Sequence, residues 1–242
     1  MKKKLLRSIF IILLMLPLIA VAHYFAFPEE TNCILIRFAD FEKNENLFFR
    51  KNTPAEKIIT LQKIRVVAEN RLQHFWGKQT ILNYDIVYCN NEKDFNRYGH
   101  AGAPAATQLK CGAWVVVKEE SLDEDIVAHE ISHTILYNNI GWYKTRFEIP
   151  LWFSEGLAMQ VDDRNYYSID TLLAKKNSGL VLPDVTQLRN ASGFYAGTRE
   201  TIMLNYATSK YIVHEWLKTH SLSRFIEDIN KGLGFEKSYR QE

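Results

Sequence analysis

The chain has 242 residues, 47% of them hydrophobic and 24% charged, with a formal net charge of +2. That length allows one sizeable core with a small annex but hardly three domains, and the composition is globular rather than disordered. A charge balance so near neutrality, with basic residues scattered beyond the first seven positions, gives no electrostatic footprint for nucleic acid.

Those first seven positions, "MKKKLLR", precede "IFIILLMLPLIAVAHYFAF", in which His23 is the one strongly polar side chain. Basic residues ahead of an apolar run form an export signal whose charges stay on the cytoplasmic side. Two readings stand. "AVA" at 20–22 fits a signal-peptidase site. Continuation through Tyr24, Phe25 and Phe27 instead reaches the roughly twenty apolar residues that a bilayer core needs, with aromatics suited to its interface. Residues 1–28 are therefore expected to be a signal peptide or a transmembrane anchor, making a membrane one partner of the chain. Residues 31–242 are expected to form one domain outside the cytoplasm: held at the cell membrane by a retained anchor, secreted or periplasmic after cleavage. Cys33, Cys89 and Cys111 are an odd set. A bridge between Cys89 and Cys111 suits an oxidising compartment; three half-buried thiols are the equal alternative.

"CILIRFAD" (33–40) reads as a short buried strand, rich in β-branched residues and bounded by polar ones. In "TPAEKIITLQKIRVVAENRLQHFWG" the apolar positions Ile58, Leu61, Ile64, Ala68, Leu72 and Phe75 have helical spacing. Thr53 is expected to cap that helix, with Pro54 at its first position and Gly77 at its end. "ILNYDIVYC" (81–89) predicts a second strand, residues 90–110 a polar loop with room for a helical turn, and "CGAWVVVK" (111–118) a third strand. Ser121 and Glu124 have the spacing of a capping box, so a helix is expected from about Leu122 to Asn138 and stopped at Gly141. A short helix begins near Pro150. The last third reads as helical over about Arg199–His220 and again in "SLSRFIEDINKG". The fold class predicted is α+β: a hydrophobic N-terminal helix, a small mixed sheet with helices, then a helical C-terminal half.

"DIVAHEISHTILYNN" (125–139) carries the chemistry. Side chains four apart on a helix lie about 40° from each other around the axis. His129 and His133 can therefore offer ring nitrogens to one ion about 2.0–2.1 Å away. Glu130 projects beside them, where a base acting on metal-bound water belongs. The opposite face, Val127, Ala128, Ile131 and Ile135, is a core stripe. Two histidines on a partly covered face are costly to bury without partners, and a metal satisfies both rings. A hydrolytic zinc needs a third protein ligand and an open position. A histidine following a glycine is excluded, because Leu136 and Asn139 occupy those positions. In "LWFSEGLAMQ", Glu155 is a lone acid in an apolar segment, separated from His133 by twenty-one residues (134–154), and Gly156 beside it permits close helix approach. Glu148, Asp162 and Asp163 compete for the third place, but their polar surroundings mark them as solvated turn residues.

"HEISH" followed by "PLWFSEGLA" resembles the gluzincin metallopeptidases, and among them the small peptidase MA-like domains with H-E-x-x-H…P-x-W-x-x-E-G-x-A. The similarity continues through "NYATSKYIVHEW" (205–216) and "RFIEDINKGLGFEKSYRQ", covering roughly residues 111–240. It implies a zincin-like fold, a Zn²⁺ cofactor on His129, His133 and Glu155, and Glu130 as catalytic acid/base. It implies a peptide or protein substrate cut by a zinc-dependent endopeptidase. It also places the helix of Tyr206 against the site, making Tyr206 the candidate oxyanion donor, with Tyr195, Tyr211, His100 and His214 as weaker ones. Many relatives carry an acid one turn beyond the glutamate ligand; here Met159 stands there, so the partners of the histidines are unassigned. "CGAWVVVK" is either an edge strand that pairs with an extended peptide or an interior strand. A catalytically silent binding or assembly protein, and a zinc hydrolase of a non-peptide amide, are the alternative functions.

Overall fold

A computed structural model describes residues 15–241. The basic cluster and the first part of the apolar run, residues 1–14, lie outside the described residues. The rest of the run is a helix, α1 (15–26). No described helix is long and apolar enough to cross a membrane.

The next segment corrects the sequence reading. "CILIRFAD" is not a strand: α2 (Pro28–Leu35) runs into a 3-10 turn, Ile36–Phe38. Pro28 in the first turn, with Glu29 and Glu30 behind it, starts a helix, and these signals outweigh the β-branched residues. Cys33 and Ile36 point inwards, whereas Ile34, Leu35 and Phe38 stay exposed. The first strands come later, as the hairpin β1 (Phe41–Asn44) and β2 (Leu47–Arg50), turning through Glu45 at φ 53°.

Helix α3 (Ala55–Trp76) ends at Gly77, where φ is 105°. Pro54, not Thr53, stands at its cap, and the Thr53 hydroxyl has no hydrogen-bond partner. β3 (Asp85–Cys89) is shorter than predicted. The polar loop after it holds both α4 (Glu92–Tyr98), capped by Asn91, and an unpredicted strand, β4 (Ala105–Gln108). β5 (Trp114–Lys118) follows.

The five strands run β1-β2-β3-β5-β4 across the sheet. β2, β3 and β5 are parallel, and β4 pairs antiparallel with β5 through Gln108↔Trp114 to Ala105↔Val117. "CGAWVVVK" is thus interior, and β4 is one edge of the sheet, β1 the other. Alternation along the strands sends side chains to two covered faces. Leu47, Phe49, Ile86, Tyr88, Val115 and Val117 meet α3 and the next long helix, while Phe48, Val87, Cys89, Trp114 and Val116 meet α2 and α4.

That next helix is α5 (Glu124–Ile140). Its expected capping box does not form; the Asp123 carboxylate accepts the Asp125 N–H instead, and Gly141 at φ 82° stops the helix. α6 (Trp142–Phe147), α7 (Leu151–Ala158), α8 (Ile169–Asn177), α9 (Ala191–Phe194), α10 (Arg199–Leu217), α11 (Leu222–Asn230) and α12 (Phe235–Arg240) complete the chain. These helices close over an aromatic core around Trp152, Phe153, Trp216, Phe225 and Phe235, whose rings meet edge to face. Gly156 is required where α7 meets α10: a Cβ there would lie 2.6 Å from Ser209 O and 2.5 Å from Val213 Cγ2. The fold is mixed α+β with a predominantly helical C-terminal half. All three cysteines are free; Cys33 and Cys89 are buried and Cys111 is exposed.

Candidate metal centre

α5 lies on the sheet through Val127, Ala128, Ile131 and Ile135, which leaves His129 and His133 on the side facing α7. α6 and the Ile149–Pro150 step carry the chain back, so α7 delivers Glu155 to the two rings. All three groups are largely buried, Glu155 only 5% exposed.

Three atoms converge. His129 Nε2 lies 3.3 Å from His133 Nε2, and Glu155 Oε2 lies 3.2 Å and 3.4 Å from them. Two vertices of a tetrahedron with bonds of about 2.0–2.1 Å are about 3.3–3.4 Å apart. The triangle therefore has the edge lengths of three ligands around one small ion. Glu155 Oε2 is buried yet has no hydrogen-bond partner, although both nitrogens are near. The two Nε2 atoms and Glu155 Oε2 thus face one common space. Among the described residues this is the one set of three or more such side chains close enough to hold a metal ion.

The local field favours a cation at that point. Burial opposes ionisation of Glu155, but His133 and His129 outweigh it and hold the carboxyl far below its usual range. Burial likewise opposes a charged His133, yet the Glu155 carboxylate, followed by Glu130, raises its pKa above the ordinary value.

Glu130 is half-buried beside the triangle. The Thr107 hydroxyl donates to its carboxylate and lies 3.2 Å from its backbone carbonyl. Thr107 sits on edge strand β4, on the same face as Ala105, which packs into the core beneath α5. The remaining ring nitrogens of the two histidines differ. His133 Nδ1 meets Ser154 Oγ at 3.2 Å. His129 Nδ1 is buried with no hydrogen-bond partner, and Asp162 Oδ2 is 3.9 Å away.

Asp162 corrects the expectation of a solvated turn residue. It is fully buried, and its carboxylate takes two bonds from Arg164 Nε at 2.9 and 3.0 Å. Burial works against its charge, but Arg164 and then His129 keep its pKa below the ordinary aspartate value. The 3-10 turn Met159–Val161 causes the burial by bending the chain inward after α7. Lys210 of α10 fixes the same corner by donating to the Asp162 carbonyl. Asp163 is solvated as expected, its side chain 72% exposed.

Tyr206 lies against His129, with ring centroids 6.1 Å apart. Tyr195, the weaker candidate, comes closer to the triangle: its hydroxyl donates to Glu155 Oε1 at 3.1 Å, and its ring centroid lies 6.5 Å from that of Tyr206. Burial, then the Glu155 charge, pushes both phenols upward, so each stays protonated. Tyr211 instead stacks near Lys176, and His100 is exposed in the loop after α4. Thr107 and Ser154 are the polar neighbours that sequence reasoning missed; Asp162 was named there, but as a competing carboxylate in a solvated turn rather than as a buried neighbour of His129.

Compared with protein-family models, curated proteins and solved structures, the chain finds no match, so its chemistry is read from its own side chains.

Proposed function

We propose that the chain is a zinc-dependent endopeptidase of the gluzincin type, with a zincin-like fold, acting outside the cytoplasm on peptide or protein substrates. The observation that carries this reading is the near-equilateral triangle of His129, His133 and Glu155 with Glu130 beside it. Two imidazoles and one carboxylate suit zinc, and three protein ligands leave a position free for reaction. An ion held there would acidify a bound water and polarise the scissile carbonyl.

The chain's own groups supply the rest. The Glu130 carboxylate takes a proton from the attacking water and later delivers one to the leaving amine. Thr107 fixes the carboxylate's direction. Tyr206 and Tyr195 offer phenolic protons near the site, and in this reading Tyr206 donates to the developing oxyanion while Tyr195 steadies Glu155. β4 supplies the free edge along which an extended peptide would pair its backbone. The N-terminal apolar segment exports the domain or anchors it.

The direct test is metal removal. Peptide-library cleavage is expected to disappear after dialysis against a chelator and to return with zinc. Cleavage that survives complete removal of metal, confirmed by elemental analysis, overturns the proposal. The same reading assigns Asp162 a positioning role, because a carboxylate behind a ligand histidine fixes its tautomer and raises its basicity. Asp162→Asn is expected to weaken zinc binding by about 10–100-fold, read by competition with a chromophoric chelator. Unchanged affinity would show that His129 needs no such partner.

A further inference from the structure

On the opposite end of α5 from its cap, α6 presents aromatic residues to solvent. Tyr143 is 63% exposed and Phe147 62%. Their ring centroids are 5.2 Å apart, and Trp142 meets Phe147 at 5.5 Å. Isolated surface aromatics are ordinary, but here Phe147 touches both Trp142 and Tyr143, so one short helix carries a clustered aromatic patch. Lys144 does not break the patch, because its ammonium turns inward to the Ile229 carbonyl at 2.9 Å and fastens α6 to α11. Arg146 is exposed beside the rings.

A cationic side chain links the patch to a second apolar surface. The Lys110 ammonium lies over the Phe27 ring at the end of α1 and 5.5 Å from the Trp142 ring centroid. One residue on, Cys111 Sγ lies 3.6 Å from His23 Nε2 of α1. α1 itself exposes Leu16, Leu18, Ile19, Val21 and Phe25. The sequence ahead of it, "MKKKLLRSIFIILL", is basic and then, from Ile9 on, apolar. Aromatic rings beside an apolar segment, with a cationic residue at their edge, match the headgroup level of a bilayer.

We propose that Trp142, Tyr143 and Phe147 dock into the headgroup layer of the bilayer entered by the N-terminal apolar segment. This rests on the anchor reading of that segment. α6 connects the two helices that carry His129, His133 and Glu155, so docking holds the metal centre close to the lipid surface. The substrate class this selects is a polypeptide segment emerging from, or lying along, the same membrane.

The test uses the full chain in vesicles of phosphatidylcholine and phosphatidylglycerol. A fluorophore is attached at Phe147→Cys, Leu18→Cys or Val181→Cys in a Cys111→Ser background, with a doxyl-lipid as quencher. Val181 is 85% exposed and follows α8, making it the control. Lipid quenching is expected at positions 18 and 147 but not at 181. Adding Trp142→Ser and Tyr143→Ser should abolish it at 147 alone. Quenching at 18 without 147 overturns the docking and leaves the anchor intact. Absence of quenching at both positions overturns the anchor reading with it. Equal quenching at 147 and 181, or label self-quenching between copies without lipid quenching, also overturns the docking.

Discussion

Glu130→Gln is expected to lower peptide cleavage by about a hundredfold to ten-thousandfold, the range of a lost general acid/base, with zinc content unchanged. The substitution keeps the shape and the Thr107 contact but removes the group that accepts the water's proton. It is half-buried beside the triangle and outside it, so the three converging atoms are untouched. Activity on a peptide library and elemental analysis of the same sample give both readouts. Equal cleavage by the two proteins would end the peptidase reading and favour a silent binding protein. Equal inactivity on peptides, with a Glu130-dependent turnover of a non-peptide amide, would keep the chemistry and change the substrate.

Glu155→Ala is expected to abolish stoichiometric zinc, weakening affinity by more than the roughly 10–100-fold typical of a residue behind a ligand. The change removes one vertex of the triangle and leaves the Tyr195 hydroxyl without its acceptor. Differential scanning calorimetry separates metal loss from misfolding. Zinc at about a thousand times the wild-type dissociation constant should stabilise the wild type by about 4 kcal/mol, and the variant by less than about 1.4 kcal/mol. Glu155→Gln, which keeps the volume, is expected to fold and still bind poorly. Full zinc retention by either variant would return the third place to another acid.

The two helices that carry the triangle were legible because their signals are local. Histidines four apart fix a shared face, Pro150 and Gly141 mark helix ends, and a lone acid in "LWFSEGLA" demands a partner. Gly156 told of a close helix contact, and α10 supplies it through Ser209 and Val213. The sheet was less legible. β1, β2 and β4 have four residues each, too few for alternation to rise above loop composition. Thr107 was invisible for that reason, since its neighbour in space is set by β4 pairing with β5. Asp162 was misread because its burial follows from a 3-10 turn and from Arg164, Lys210 and His129 gathering around it. "CILIRFAD" shows the limit of propensity, since a proline and two glutamates upstream settled its conformation.

α5 belongs to both halves of the molecule. Val127, Ala128, Ile131 and Ile135 are set in the sheet's core, while Leu136 and Ile140 are set in the aromatic core of the later helices. Any opening large enough to release either core must strain the backbone ladder that holds His129 and His133. The imidazole pair is thus stored in the stretch whose amide protons should be among the last to exchange with solvent. Thr107 on β4 and the tyrosines of the C-terminal half are arranged around that fixed axis.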